Sequence, residues 1–254
     1  MVASFLKPTH PETKMIKYID DVTFCIPIFT ENSHPMVLDE HENVIHWSES
    51  NNLVLNQSKS KSLFIKKSQR SSPVILDGVE SVDEVRILGV ILDSKLSWRS
   101  HVNMIVKLAC QRLYGLRILK PLISSKDLRS VYQSLIRSLF EYASPAFVCL
   151  PISLETKLER FQNRVHRLIC SIPYDFSVSK CPCEDFPKLK ARRHQASIRL
   201  FLESMRDNDH ILHNIMPNRS QRSQRIIQPP ASTSRRRNSF VPFTCTLIEG
   251  TYIM

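Results

Sequence analysis

The stretch 17-KYIDDVTF-24 sets two aspartates side by side, Asp20 and Asp21, between two short apolar runs. The wider segment 14–29, KMIKYIDDVTFCIPIF, places β-branched and aromatic residues on both sides of the acidic pair, and aspartate is a common turn former. It therefore predicts strand, tight turn, strand. A turn carrying two carboxylates is a hard-oxygen ligand set. Magnesium takes one or two carboxylates together with phosphate oxygens and water. Two such ions activate a 3′-hydroxyl and stabilise a leaving pyrophosphate. For the bare pair of aspartates, a simple polar turn is the plainer reading, so the remainder of the chain has to decide.

Outward from this segment, 35–52 carries Val37, His41, Val44, Ile45 and Ser48 at helical spacing, with Trp47 beside the stripe and Asn51-Asn52 as a stop. Leu53-Val54-Leu55 and Ser62-Leu63-Phe64-Ile65 read as two short strands around a lysine-rich turn. VILDGVE reads as a hairpin turning at Asp77-Gly78, and VRILGVILD, 85–93, as one further strand. Beyond Asp93 the periodicity becomes helical. Val102, Ile105, Ala109, Leu113 and Leu116 make one stripe. Leu128, Val131, Leu135, Leu139 and Tyr142 make a second, opened by a capping box at Ser124 and Asp127 and closed by Pro145. Leu154, Leu158, Phe161, Val165 and Leu168 make a third, opened by Pro151 and a Ser153 N-cap, and a weaker helix spans about 187–206. From about 217 the pattern fades into PNRSQRSQRIIQPPASTSRRRN, with six arginines and no acid between Asp209 and Glu249. That reads as a flexible basic tail, which either binds nucleic acid, serves as a nuclear signal or is a solvated linker.

The expected fold class is thus α+β: a β-rich part over 1–93, a helical bundle over 94–206 and a basic tail over 207–254. The 254 residues carry 35 Lys plus Arg against 24 Asp plus Glu, and this excess favours a polyanionic partner, nucleic acid before membrane. No run of apolar residues is long enough for a membrane span, and the N-terminus has no secretory pattern. The seven scattered cysteines suit reduced thiols in an intracellular protein, with nucleus or cytoplasm undecided. Cys181-Pro-Cys183 has no second close pair, which argues against zinc. No carboxylate lies between Asp93 and Asp127, whereas Lys107, Arg112, Arg117 and Lys120 do. These four either contact a phosphate backbone or lay their stems over the edge of the core.

Tyr18-Ile19-Asp20-Asp21, following one apolar strand and preceding another, resembles the aromatic-x-Asp-Asp hairpin of reverse transcriptases. The motifs that follow match in order. NNLVLNQSKSK is similar to the palm segment of non-LTR (LINE-type, jockey- or CR1-like) retrotransposon polymerases, through Asn51 or Asn52 with Leu53, Leu55, Asn56, Lys59, Ser60 and Lys61. Asp93, Leu96, Trp98 and His101 fit that family's Asp-x-x-Leu-x-Trp-x-x-His segment. VYQSLIRSLFEYASP, LERFQNRVHRLI, ARRHQASIRLF and RNSFVPFT resemble its later helical segments, so the likeness runs over almost the whole chain.

The resemblance implies an RNA-directed DNA polymerase with a palm followed by a helical thumb. It implies Mg2+ as cofactor and an RNA template with a DNA primer as partners. Asp20 would be a metal ligand and Asp21 would support the site. Tyr18 would lie near the primer end. Lys59 or Lys61 would face the incoming triphosphate or be ordinary turn lysines, and Leu88-Gly89 would sit at the primer grip. The family's further metal-binding aspartate stands upstream of the hairpin. The residues before Lys17 hold Glu12 but no aspartate, and after RNSFVPFT the chain departs from the family into CTLIEGTYIM. The chain is therefore expected to be a truncated piece of such an enzyme, inactive by itself. The alternatives are a nucleic-acid-binding remnant without chemistry and a helical interaction protein with a chance YIDD.

Overall fold

The computed structural model of the chain describes residues 5–28, 34–66, 72–173, 176, 186–220 and 226–252, the last four of these by their backbone alone. Cys181 and Cys183 lie outside the described residues. The architecture is α+β, in two compact units, Met1–Ser97 and Trp98–Met254. The division falls four residues beyond the boundary expected from the sequence, at the end of the turn that Asp93 organises.

In the first unit, β1 (Lys14–Tyr18) and β2 (Asp21–Cys25) form an antiparallel hairpin in which Tyr18 faces Asp21 across the turn. Helix α1 (His34–Ser50) follows. It stops as its two asparagines predict. Asn52 takes a left-handed φ of 55°, Asn52 N–H bonds the Glu49 carbonyl at 3.1 Å and Leu53 N–H reaches back to Ser48 at 2.8 Å. This is a Schellman ending, which satisfies carbonyls the helix leaves open. Glu40 fastens the preceding loop to α1. Its buried carboxylate accepts from Thr9 N–H at 3.1 Å and His10 N–H at 2.9 Å, while Asn43 donates to the Lys7 carbonyl at 2.8 Å. Burial pushes the Glu40 carboxyl up, but the His10 and Thr9 N–H bonds, together with Thr13 and the charge of His10, hold the group below its ordinary value.

Three strand expectations in this unit are corrected. Leu53-Val54-Leu55 is irregular, because the next residues use their hydrogen bonds locally. The Asn56 side chain accepts from Ser58 Oγ at 2.7 Å and Lys59 N–H at 3.2 Å, and its carbonyl accepts from Lys59 and Ser60. Val54 is left 97% exposed. VILDGVE turns at Asp77-Gly78, with Gly78 at φ 69°, but its second arm does not return on its first. Instead β4 (Glu80–Val82) pairs in parallel with β3 (Lys61–Leu63). The single strand expected over 85–93 is a hairpin of β5 (Glu84–Ile87) and β6 (Val90–Asp93). Leu88 and Gly89, at φ 46° and 85°, supply the two left-handed residues of a type I′ hairpin turn.

The second unit is helical. Helix α2 (Arg99–Leu119) buries His101 and the whole expected stripe from Val102 to Leu116. Helix α3 (Ser125–Tyr132) opens with the expected box, Ser124 Oγ accepting from Asp127 N–H at 3.2 Å and donating to its carboxylate at 2.6 Å. It runs through a π-turn (Gln133–Arg137) into α4 (Ser138–Glu141). The fully buried row here is Leu128, Tyr132, Ile136 and Phe140; of the expected stripe Leu128 belongs to it, Val131 and Leu139 pack half-buried at its edge, and Leu135 and Tyr142 are exposed. Steps of four overrun a 3.6-residue turn, and the wider π-turn takes up the excess and keeps the row on one face.

A 3-10 turn (Ser144–Phe147) leads to α5 (Ile152–Cys170). Pro151, not Ser153, holds the N-cap position of α5, with no side-chain cap. Helix α6 (Leu189–Arg206) lies across them, tied by a buried Arg193 that donates to the Val148 carbonyl at 3.2 Å and to Glu155 at 3.0 Å. The segment expected as a tail contains α7 (Ser234–Arg237) and α8 (Phe240–Tyr252). Cys245 and Ile248 of α8 close a small second core over Phe201 of α6. Pro242 falls in the first turn of α8, where its missing N–H costs nothing.

Candidate functional site

The first hairpin is built to expose its tip. Along β1 and β2 the pairs Lys17–Val22 and Met15–Phe24 point to one side. There Val22, Met15 and Phe24 are half-buried and Lys17 Nζ stands 5.8 Å from the Trp47 ring centre on α1. The pairs Tyr18–Asp21 and Ile16–Thr23 point to the other side, where Tyr18 is 57% exposed. The turn itself is Ile19-Asp20. Ile19 takes φ 54°, a conformation a β-branched residue adopts rarely and at a cost of about 1–2 kcal/mol. Such strain in a native structure gathers where a particular side-chain presentation is required.

The consequence is that Asp20 and Asp21 project from consecutive positions, one on the turn and one on the strand, beside the Tyr18 ring. Both are exposed, and among the described residues neither carboxylate pairs with a cation or a donor. Chemically the tip offers two oxygen ligands with open coordination for water or phosphate. No cluster of three or more His, Cys, Asp or Glu side chains able to hold a metal exists among the described residues. The first hairpin also shares no ladder with another strand among them, so both of its edges are open.

The other expected site residues sit elsewhere in the unit. Lys59 is exposed on the Asn56 turn. Lys61 starts β3, and its ammonium pairs with Glu80 on the neighbouring strand, which engages the charge that a triphosphate would need. Leu88-Gly89 forms the β5–β6 turn. Tyr18, Asp20 and Asp21 are thus brought together, while Lys59, Lys61, Leu88 and Gly89 belong to strand pairs and turns outside that hairpin.

The segment Asp93–His101 has a clear structural task. The buried Asp93 carboxylate accepts from Lys95 N–H at 2.9 Å, Ser97 N–H at 3.0 Å and Ser97 Oγ at 2.9 Å, folding a tight turn. Leu96 adopts the left-handed φ of 52° that this turn requires. In the second unit Trp98 and a buried His101 pack with Phe147, at centroid distances of 5.8 Å and 5.0 Å from its ring. Burial holds the His101 imidazole below its ordinary value.

On α2 the four expected basic residues divide. Lys107 and Arg117 are exposed. Arg112 donates to the Leu135 carbonyl and is engaged in packing α2 on the π-turn, and Lys120 is half-buried at the helix end. Sequence reading missed a second basic row, Lys157, Arg160 and Arg164 on α5, all exposed. Its signal was present as basic residues at i, i+3 and i+7, one face of a helix. It was masked by the acids Glu155 and Glu159 interleaved with it. Among the described residues no helix is long and apolar enough to cross a membrane. Comparison of the chain with protein-family models, with curated proteins and with solved structures found no match, so the functional reading rests on the chain's own residues.

Proposed function

We propose that the chain is a piece of an RNA-directed DNA polymerase of the non-LTR retrotransposon kind, in which the hairpin tip Tyr18–Asp21 is the metal-binding turn. The observation that carries this reading is the tip itself. Two consecutive aspartates, without partners among the described residues, stand exposed on a strained two-residue turn, beside an exposed tyrosine. The ordered motifs downstream support it, as does a basic balance suited to a polyanion. On this reading Asp20 and Asp21 hold Mg2+, which lowers the barrier to nucleotidyl transfer by stabilising charge on phosphate oxygens. Tyr18 lines the primer end, the first unit is palm-like and the helical unit is thumb-like.

A second reading is favoured by a specific observation: two ligands do not complete a two-metal centre, and the basic faces of α2 and α5 need no metal to bind phosphate. On it the chain binds RNA or DNA without chemistry. The two readings part on metal dependence. Affinity for an RNA template annealed to a DNA primer, measured with Mg2+ and with EDTA, has a metal-dependent component under the first reading, and Asp20→Ala removes it. Under the second reading, wild type and Asp20→Ala bind alike in both buffers. Absence of any template–primer binding sinks both.

A further inference from the structure

We infer that α2 and α5 together form a single-stranded nucleic-acid site, in which a base stacks on Tyr114 and the phosphates follow the basic rows beside it. The inference rests on the nucleic-acid reading above but not on the hairpin or its metal.

The first observation is how charge is segregated on α5. Glu155 and Glu159 fall on one side of the helix, and both are used by α6. Glu155 pairs with Arg193 at 3.0 Å and Lys190 at 2.9 Å, and Glu159 accepts from Lys190 N–H at 3.0 Å. At 3.6 residues per turn, Lys157, Arg160 and Arg164 fall on the other side. Lys157 identifies what that side adjoins, because its ammonium donates to Asn103 Oδ1 on α2 at 2.6 Å. Among the described residues Arg160 and Arg164 have no acidic partner.

The second observation is the outer face of α2. No acidic residue occurs anywhere in the helix. Lys107, Tyr114 and Arg117 share the helix side on which Asn103 lies, opposite the buried stripe, and Tyr114 is 68% exposed with Ile118 next to it at 53%. An exposed ring of this size between two cations, on a helix with no acid to neutralise them, is the arrangement single-stranded nucleic acids use. Bases stack on the aromatic face while lysine and arginine track the backbone, without reading sequence. A protein partner would have to be strongly acidic to match the same surface. A duplex would use the cations but could present no unstacked base to Tyr114.

The test uses the full chain, EDTA throughout, and fluorescent oligonucleotides (dT)20 and (U)20 with a duplex control, read by anisotropy over a salt series. The site predicts that Tyr114→Ala weakens single-strand binding by about 5- to 150-fold with the salt slope unchanged, and that Tyr114→Phe restores it. Arg160→Ala with Arg164→Ala should instead lower the salt slope by about 1.4, two phosphate contacts' worth. Tyr114→Ala and Tyr114→Phe binding alike, or a duplex bound as tightly and as dependent on Tyr114 as the single strand, overturns the inference. Loss of binding on replacing Arg235, Arg236 and Arg237 by alanine, with the α5 double variant unaffected, also overturns it. That outcome would leave the nucleic-acid reading standing, whereas no binding to any oligonucleotide would sink both. All these side chains are exposed, so circular dichroism of each variant should match wild type.

Discussion

The two units of this chain are held together by different means. Trp98–Met254 buries a continuous apolar core from Val102 of α2 to Leu189 of α6, with a second cluster under α8. Met1–Ser97 buries only Leu6 and Val37 among its described apolar side chains, and relies on hydrogen-bonded devices: two tight hairpins, the Schellman ending of α1, the Glu40 carboxylate clasp and the Asp93 turn. Apolar burial dominates the stability of a domain, and single hydrogen bonds add about 1 kcal/mol each. The helical unit should therefore carry most of the fold. The first unit presents its hairpin tip, its Leu53–Leu55 run and its open strand edges to the surroundings.

The sharpest way to break this contrast is a matched pair of truncations. Leu158→Ala, in the centre of the helical core, should cost about 2–5 kcal/mol in urea unfolding, whereas Val54→Ala should change stability by less than about 0.5 kcal/mol. Equal effects would mean that Leu53–Leu55 is packed. Next in size is the buried ion pair. Arg193→Ala leaves the Glu155 carboxylate short of its buried partner and should cost about 3 kcal/mol, while Arg193→Met with Glu155→Gln should recover much of the loss.

The helical unit should also be sensitive to acid. Burial holds His101, His166 and His194 below their ordinary 6.5, and Arg129 and Arg167 press His166 further down. Above that value each imidazole is neutral in both states and the pH has no leverage. As pH falls through it, the unfolded chain takes up protons that the folded chain refuses, so stability falls until the depressed folded values are reached. Helical unfolding midpoints should drop between pH 7 and 5, and His166→Phe should shallow that slope. Smaller still is the cap: Ser124→Ala should cost about 1 kcal/mol, since it removes the acceptor for Asp127 N–H.

The same contrast explains what could be read from the sequence. In α2 the stripe from Val102 to Leu116 is stated by the residues themselves, because a helix closes its own hydrogen bonds and only its buried face needs a partner. The hairpin at Ile19-Asp20 was legible for a similar reason: both strands and the turn are contiguous. Where pairing is non-local, the residues were silent. Nothing in Glu80–Val82 says that it lies parallel to Lys61–Leu63, and VRILGVILD hides a turn because Leu88 bears no mark of a left-handed residue. Beyond Leu128, the buried row of Tyr132, Ile136 and Phe140 was missed because a π-turn changes the period inside the helix. At the candidate site, Asp20 and Asp21 were visible from their spacing. The Lys61–Glu80 pair and the α5 basic row depend on which helix or strand lies alongside, and a single chain of letters does not state that.

The central claim is that the hairpin tip holds a divalent cation, and paramagnetic relaxation tests it most directly. Mn2+ titrated into 15N-labelled chain should broaden the amide resonances of Tyr18 to Val22 first, and Asp20→Asn should abolish that broadening while circular dichroism stays unchanged. Broadening spread evenly over the exposed carboxylates, or unaltered in Asp20→Asn, would contradict the claim and leave YIDD as a polar turn.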